Sequence, residues 1–142
     1  MVGVVVATHG RLAHELLACA EAIVGSMARA GALSVGSDVP LDAARDSLAV
    51  AIHDLDDGDG VLVLTDMLGG TPANLALGFL DAHVEVVTGV NLPMLLKLAS
   101  CRADGAKLRD VTRLIEAYGQ KAIVMASELL RARARQEGAD VP

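Results

Sequence analysis

Apolar positions along this chain follow two different periods. Val2–Ala7, Val61–Leu64 and Val84–Val87 are short, nearly unbroken apolar runs rich in valine. Runs of that length are too short for helices and fit strands buried on both faces. Ala32–Val35, set off by Gly31 and Gly36, is a weaker fourth strand candidate. Between the runs the apolar spacing lengthens. Leu12, Leu16, Leu17, Ala20, Ile23 and Val24 share one helical face that Gly25 closes. Ala44, Leu48, Ala51, Ile52 and Leu55 mark a second helix over Asp42–Leu55, ended by the turn-rich Asp56-Asp57-Gly58-Asp59-Gly60. Helical spacing returns from Asn91 to about Ser100 and again from Leu108, with Gly119 expected to interrupt that last stretch.

Strand alternating with helix predicts a parallel sheet, because each parallel neighbour needs a long crossover that must also cover the sheet. The expected fold is therefore a three-layer α/β/α, doubly wound domain with the flavodoxin-like strand order 2-1-3-4. Residues 1–134 form a single domain on this reading, and the polar stretch 135–142 is a tail expected to fray. Ala122–Leu130 fits two descriptions. Ile123-Val124-Met125 suits a short strand, whereas Leu129, Leu130 and the arginines after them suit a helix.

Composition narrows the function classes. At 142 residues with 53% apolar content, the chain can bury a core without metal or disulfides. Asp and Glu outnumber Lys and Arg 18 to 12, with no basic stripe, which disfavours nucleic acid and anionic membrane as partners. One Tyr, one Phe and no Trp leave few platforms for stacking bases or sugar rings. No apolar run approaches the roughly 20 residues of a membrane span, and the start of the chain lacks the basic lead of a secretory signal, so a cytoplasmic protein without membrane insertion is expected. Cys19 and Cys101 are isolated and read as buried reduced thiols. No metal site or cofactor is proposed.

The chemistry is sought where ligands bind open parallel sheets, at the carboxyl ends of the strands. Three exits are rich in glycine and polar residues: Thr8-His9-Gly10, Thr65 to Pro72, and Thr88 to Pro93. With strands one and three adjacent, His9 and Asp66 face one crevice. An imidazole has a reference pKa of about 6.5, so one ring nitrogen can attack phosphorus while the other keeps a proton. A carboxylate receiving that proton holds the tautomer and stabilises the charge that develops. Gly69 and Gly70 allow a tight positive-φ loop, Thr71 suits an N-cap and Pro72 the first helical turn, so a helix start with free amides should face the same crevice. Such termini bind phosphate. His14, His53 and His83 lack paired ligands and read as structural or solvated. P-loop, dinucleotide and serine-hydrolase signatures are absent.

The segments Ala7-Thr8-His9-Gly10-Arg11-Leu12-Ala13, Thr65 to Asn74 and Gly89-Val90-Asn91-Leu92-Pro93-Met94-Leu95 resemble, in order and spacing, the mannose/fructose/sorbose-family IIA component of the bacterial sugar phosphotransferase system. The resemblance covers about residues 1–130. It implies that His9 accepts phosphate from phospho-HPr and passes it to a IIB component, that Asp66 supports the ring, and that Nε2 is the phosphorylated nitrogen. Thr71, Gly69, Gly70, Thr8 and Asn91 then support the phosphate, and Arg11, Leu12, Met67 and Leu68 form the docking rim. Leu68 stands where well-known transport members often have Trp, which leaves partner preference open. The family also implies a homodimer that exchanges an antiparallel C-terminal strand, here Ala122–Ala126. A regulatory IIA module without a permease and a phosphodonor subunit for dihydroxyacetone kinase remain alternatives, although Leu68–Pro72 favours the mannose type.

Overall fold

The computed structural model describes residues 1–138. Four parallel strands, β1 (Gly3–His9), β2 (Ala30–Val35), β3 (Val61–Thr65) and β4 (Val84–Thr88), form one sheet in the order β2-β1-β3-β4. This is the expected order. β1 is central, and Val2 through Thr8 are all buried, with only His9 at its end exposed. The near-continuous valine run follows from this position, because both faces of the strand are covered and neither needs polar residues.

Six helices accompany the sheet: α1 (Leu12–Val24), α2 (Leu41–Leu55), α3 (Thr71–Leu77), α4 (Leu92–Cys101), α5 (Leu108–Lys121) and α6 (Ala126–Glu137). The core divides into two clusters, one on each face of the sheet. On one face Val4, Val6, Leu62 and Leu64 pack with Ala13 and Ala20 of α1, Leu95 and Leu98 of α4, and Val111 and Ile115 of α5. On the other, Val5, Ala7, Val61 and Val63 meet Ala44, Leu48 and Ile52 of α2 and Leu75 and Ala76 of α3. Alternate residues of each strand feed opposite layers, as the two-residue period of a strand requires.

Three local expectations change. Gly119 does not interrupt α5. It is buried within the helix because a β-carbon there would lie 2.8 Å from Met94 Cγ and closer still to Met94 Cε, so glycine lets α4 and α5 approach. Within one chain Ile123-Val124-Met125 is neither helix nor paired strand; the exchange that the resemblance implies involves a second copy. These residues link α5 to α6 without a sheet partner and are 80%, 57% and 63% exposed. A lone extended segment has no ladder to hold it, and this chain brings no other strand to it. Cys19 is exposed and Cys101 half-buried, so neither is the fully buried thiol expected; burial raises the Cys101 thiol above its ordinary value.

α6 is regular through Glu137 and ends on Gly138 in a left-handed conformation, yet it buries none of its residues. It therefore carries the helix into the tail assigned to 135–142, of which residues 139–142 lie outside the described residues.

Candidate functional site

The carboxyl edge of the sheet carries the site. β1 and β3 lie side by side in register, Ala7 opposite Thr65, so His9, the last residue of β1, and Asp66, the first residue after β3, meet at the carboxyl edge. His9 Nδ1 sits 2.7 Å from Asp66 Oδ2, and the same oxygen accepts the backbone N–H of His9 at 3.1 Å. Asp66 Oδ1 accepts the Met67 backbone N–H at 3.1 Å. The carboxylate is thus held from three directions. Burial pushes its pKa up, but the hydrogen bonds from the His9 ring and backbone outweigh that, and the carboxyl is held below its ordinary value of 3.8. Asp66 stays ionised and fixes a proton on Nδ1. The His9 side chain is 49% exposed against 15% for Asp66, so the ring is half open to solvent while its Nδ1 is engaged with Asp66.

Gly70 sets the position of that ring. A β-carbon at Gly70 would fall 2.6 Å from His9 Cε1 and 3.3 Å from Nε2. The imidazole lies against the bare α-carbon. This is a close approach rather than the positive-φ role expected of the residue, since Gly70 has φ −84° and only Gly69 takes the left-handed region, at 85°. The helix start is also shifted by one position. Gly70 is the N-cap of α3, Thr71 is the first helical residue and Pro72 follows, with no side-chain cap hydrogen bond. Thr71 is exposed beside Gly70, and its hydroxyl is not spent on capping.

Thr8 and Asn91 act from beneath and beside the site. Thr8 is fully buried; its hydroxyl donates to the His9 carbonyl at 3.1 Å and accepts the Ala13 N–H at 2.7 Å. It ties the turn bearing His9 to the first turn of α1. Asn91 is drawn into another joint. Its Oδ1 accepts the Met94 N–H at 3.1 Å, capping α4, and its Nδ2 donates to the Gly119 carbonyl at 3.1 Å. Both ends of the amide serve packing of α4 on α5, so the structure gives Asn91 a capping role. Around His9, the expected rim residues Arg11, Leu12, Met67 and Leu68 are all exposed, Leu68 by 70%.

One wall of the site was missed from the sequence. A cleft of about 600 Å³ beside His9 is lined by Arg11, by Ser34 of β2 and by Ser37, Asp38 and Val39 of the β2–α2 turn. The signal was present in Gly36-Ser37-Asp38, another glycine-rich polar strand exit, but the weakness of the β2 pattern drew attention away from it. His14 is structural as expected, 3.2 Å from Ser34 Oγ.

A family model, EIIA-man, described as the PTS system fructose IIA component, matches residues 3–116. The chain belongs to this family. It is 30% identical over 132 residues to the fructose-specific EIIA component of Bacillus subtilis, covering 92% of this chain and 90% of that protein. To the mannose-specific EIIAB component of Escherichia coli K12 it is 28% identical over 99% of its own length, and it spans 43% of that longer relative. Among solved structures, the mannose/sorbose-specific IIA subunit from Enterococcus faecalis superposes with a TM-score of 0.78 at 28% identity, covering 87% of this chain and 93% of that one. A phosphotransferase EIIA component from Streptococcus agalactiae gives a TM-score of 0.80 at 25% identity, covering 90% and 99%. As a member of the EIIA-man family the chain is a phosphotransferase-system component of the mannose/fructose type. No helix among the described residues is long and apolar enough to cross a membrane.

Proposed function

We propose that this EIIA-man protein is a phosphoryl carrier whose His9 Nε2 accepts phosphate from phospho-HPr and delivers it to a IIB component during sugar uptake in the cytoplasm. One observation carries the proposal: Nδ1 is bound to Asp66 at 2.7 Å while the ring is half-exposed, which leaves Nε2 as the nitrogen available to a phosphoryl donor. In the transfer, the Nε2 lone pair attacks phosphorus as the donor's P–N bond breaks. The Nδ1 proton stays in its hydrogen bond to Asp66, which offsets the positive charge on the ring. Phosphoryl transfer depends mainly on positioning and charge stabilisation, so a rigid ring and a preformed anion site suffice. Gly70 lies against the ring, and Thr71, next in the chain, carries an exposed hydroxyl not used in capping that this reading assigns to the phosphate. The exposed rim of Leu12, Met67 and Leu68 supplies an apolar surface on which two partners dock in turn.

The direct test incubates the protein with phosphoenolpyruvate, enzyme I and HPr and seeks an acid-labile phosphate by intact mass. His9→Ala should acquire none; a His9→Ala protein that still gains phosphate would falsify the assignment.

Homodimerisation is part of the same proposal. Among the described residues the outer edge of β4 carries no strand, Val87 and Thr88 line a cleft there with Ile123, and Ile123-Val124-Met125 is apolar and exposed. An exchanged segment from a second copy would satisfy both features. Light scattering of the full chain should report a dimer, and Val124→Glu should shift it towards monomer.

A further inference from the structure

The phosphoryl group brings about two negative charges to a site that already holds two carboxylates. Asp66 lies under the ring at 2.7 Å from Nδ1, and Asp38 lines the cleft on the open side, its carboxylate bonded by Ser37 Oγ at 3.1 Å. Like charges gathered around a reacting anion raise the barrier unless a cation answers them. Among the residues lining the cleft, Arg11 is the one permanent cation. Its backbone is fixed: Gly10 turns the chain at φ 54°, and the Arg11 carbonyl accepts the Glu15 N–H at 3.0 Å. Its side chain is exposed and, among the described residues, forms neither an ion pair nor a hydrogen bond, although the chain has six more acidic than basic side chains. The neighbouring hydroxyls are already engaged, Ser34 with His14 and Ser37 with Asp38.

We propose that Arg11 is a catalytic residue, its guanidinium clamping the non-bridging oxygens of the phosphoryl group as that group lands on His9 Nε2. The inference rests on the carrier reading and deepens it, turning Arg11 from a rim residue into part of the chemistry. A guanidinium suits the task because it presents paired N–H donors to paired oxygens and keeps its charge at every physiological pH. The bond balance is unchanged: the Nε2–P bond forms, the donor's bond to phosphorus breaks, and Arg11 transfers no proton.

A small donor separates clamping from docking, because phosphoramidate has no protein surface. With it, the Nε2–P bond forms and ammonia leaves with the electron pair of the broken P–N bond. Phosphorylation by phosphoramidate and by phospho-HPr would be followed by intact mass for the parent chain, Arg11→Ala, Arg11→Gln and Arg11→Lys. Arg11→Ala and Arg11→Gln should slow both reactions by about 10- to 100-fold, the range of charge-assisted hydrogen bonds, with Arg11→Lys between them and the parent. Unaltered thermal melts would show that the variants keep the fold. Parent-like phosphoramidate rates in Arg11→Ala and Arg11→Gln would overturn the clamp, and a slowing confined to phospho-HPr would make Arg11 a docking residue only. If the parent chain takes phosphate from neither donor, the carrier reading itself fails and this inference with it.

Discussion

The two edges of the sheet each concentrate charge, and they use it in opposite ways. At the amino edge, Arg102 is 4% exposed and has no carboxylate partner among the described residues. It donates instead to the carbonyls of Val2 and Ala28 at 2.8 Å, Leu98 at 3.1 Å and Arg29 at 3.4 Å. Burial lowers its pKa, yet every nitrogen has a partner and none faces solvent for chemistry. At the carboxyl edge, the His9–Asp66 pair is held firmly on one side and left open on the other. A polar group fully satisfied by its own protein is architecture; one satisfied by half is available to a substrate.

The largest effect that would break this contrast is loss of phosphorylation. His9→Ala should abolish it while leaving thermal stability near that of the parent, since the imidazole is half-exposed. Arg102→Met should do the reverse. Removing the guanidinium strands the carbonyls of Val2 just ahead of β1, of α4 and of the α1–β2 turn, and about 3 kcal/mol of stability should be lost in denaturant titrations, with the phosphorylation rate of the folded fraction unchanged. Asp66→Asn should fold and phosphorylate about 100-fold more slowly; a parent-like rate would remove Asp66 from the mechanism. Gly70→Ala forces the ring off Asp66 and should slow transfer about tenfold, at a stability cost of about 1 kcal/mol.

The smallest effect concerns pH. Because the folded Asp66 pKa lies below the ordinary 3.8, its pairing stabilises the protein at higher pH, and that contribution disappears as pH falls through the folded value. Comparing parent with Asp66→Asn, the difference in unfolding free energy should therefore shrink below about pH 4. The Arg102→Met difference should stay flat over that window, because neither a guanidinium nor a carbonyl titrates there. A difference that shrinks equally for both would dissolve the contrast between the edges.

What was legible in the sequence follows from the same physics. β1 and β3 were readable because a strand buried on both faces must be apolar throughout; β4 kept its valine run although, at the sheet edge, Glu85, Val86 and Thr88 are only half-buried, and the 2-1-3-4 order brought His9 beside Asp66 as expected. The residues that depend on a neighbour far along the chain were not. Gly119 looked like a breaker because nothing in its local sequence announces Met94. Asn91 looked like a phosphate ligand because the Gly119 carbonyl that holds it lies 28 residues away. Arg102, at the end of an amphipathic helix, gave no sign of its four carbonyl partners. Ile123-Val124-Met125 was ambiguous for a deeper reason: strand character belongs to a pair, and one chain alone supplies no partner for it.

The α4–α5 joint also equips the protein with an optical reporter. Tyr118 is the single tyrosine in a chain without tryptophan, and it lies under the Lys97 ammonium, 5.3 Å from the ring centroid, one residue before Gly119. Its carbonyl accepts the Ala122 N–H that closes α5, just ahead of the exposed 123–125 link. Excitation near the tyrosine band therefore reads a single place, the α4–α5 joint. Its emission can follow subunit association without a label and without interference from the reacting histidine.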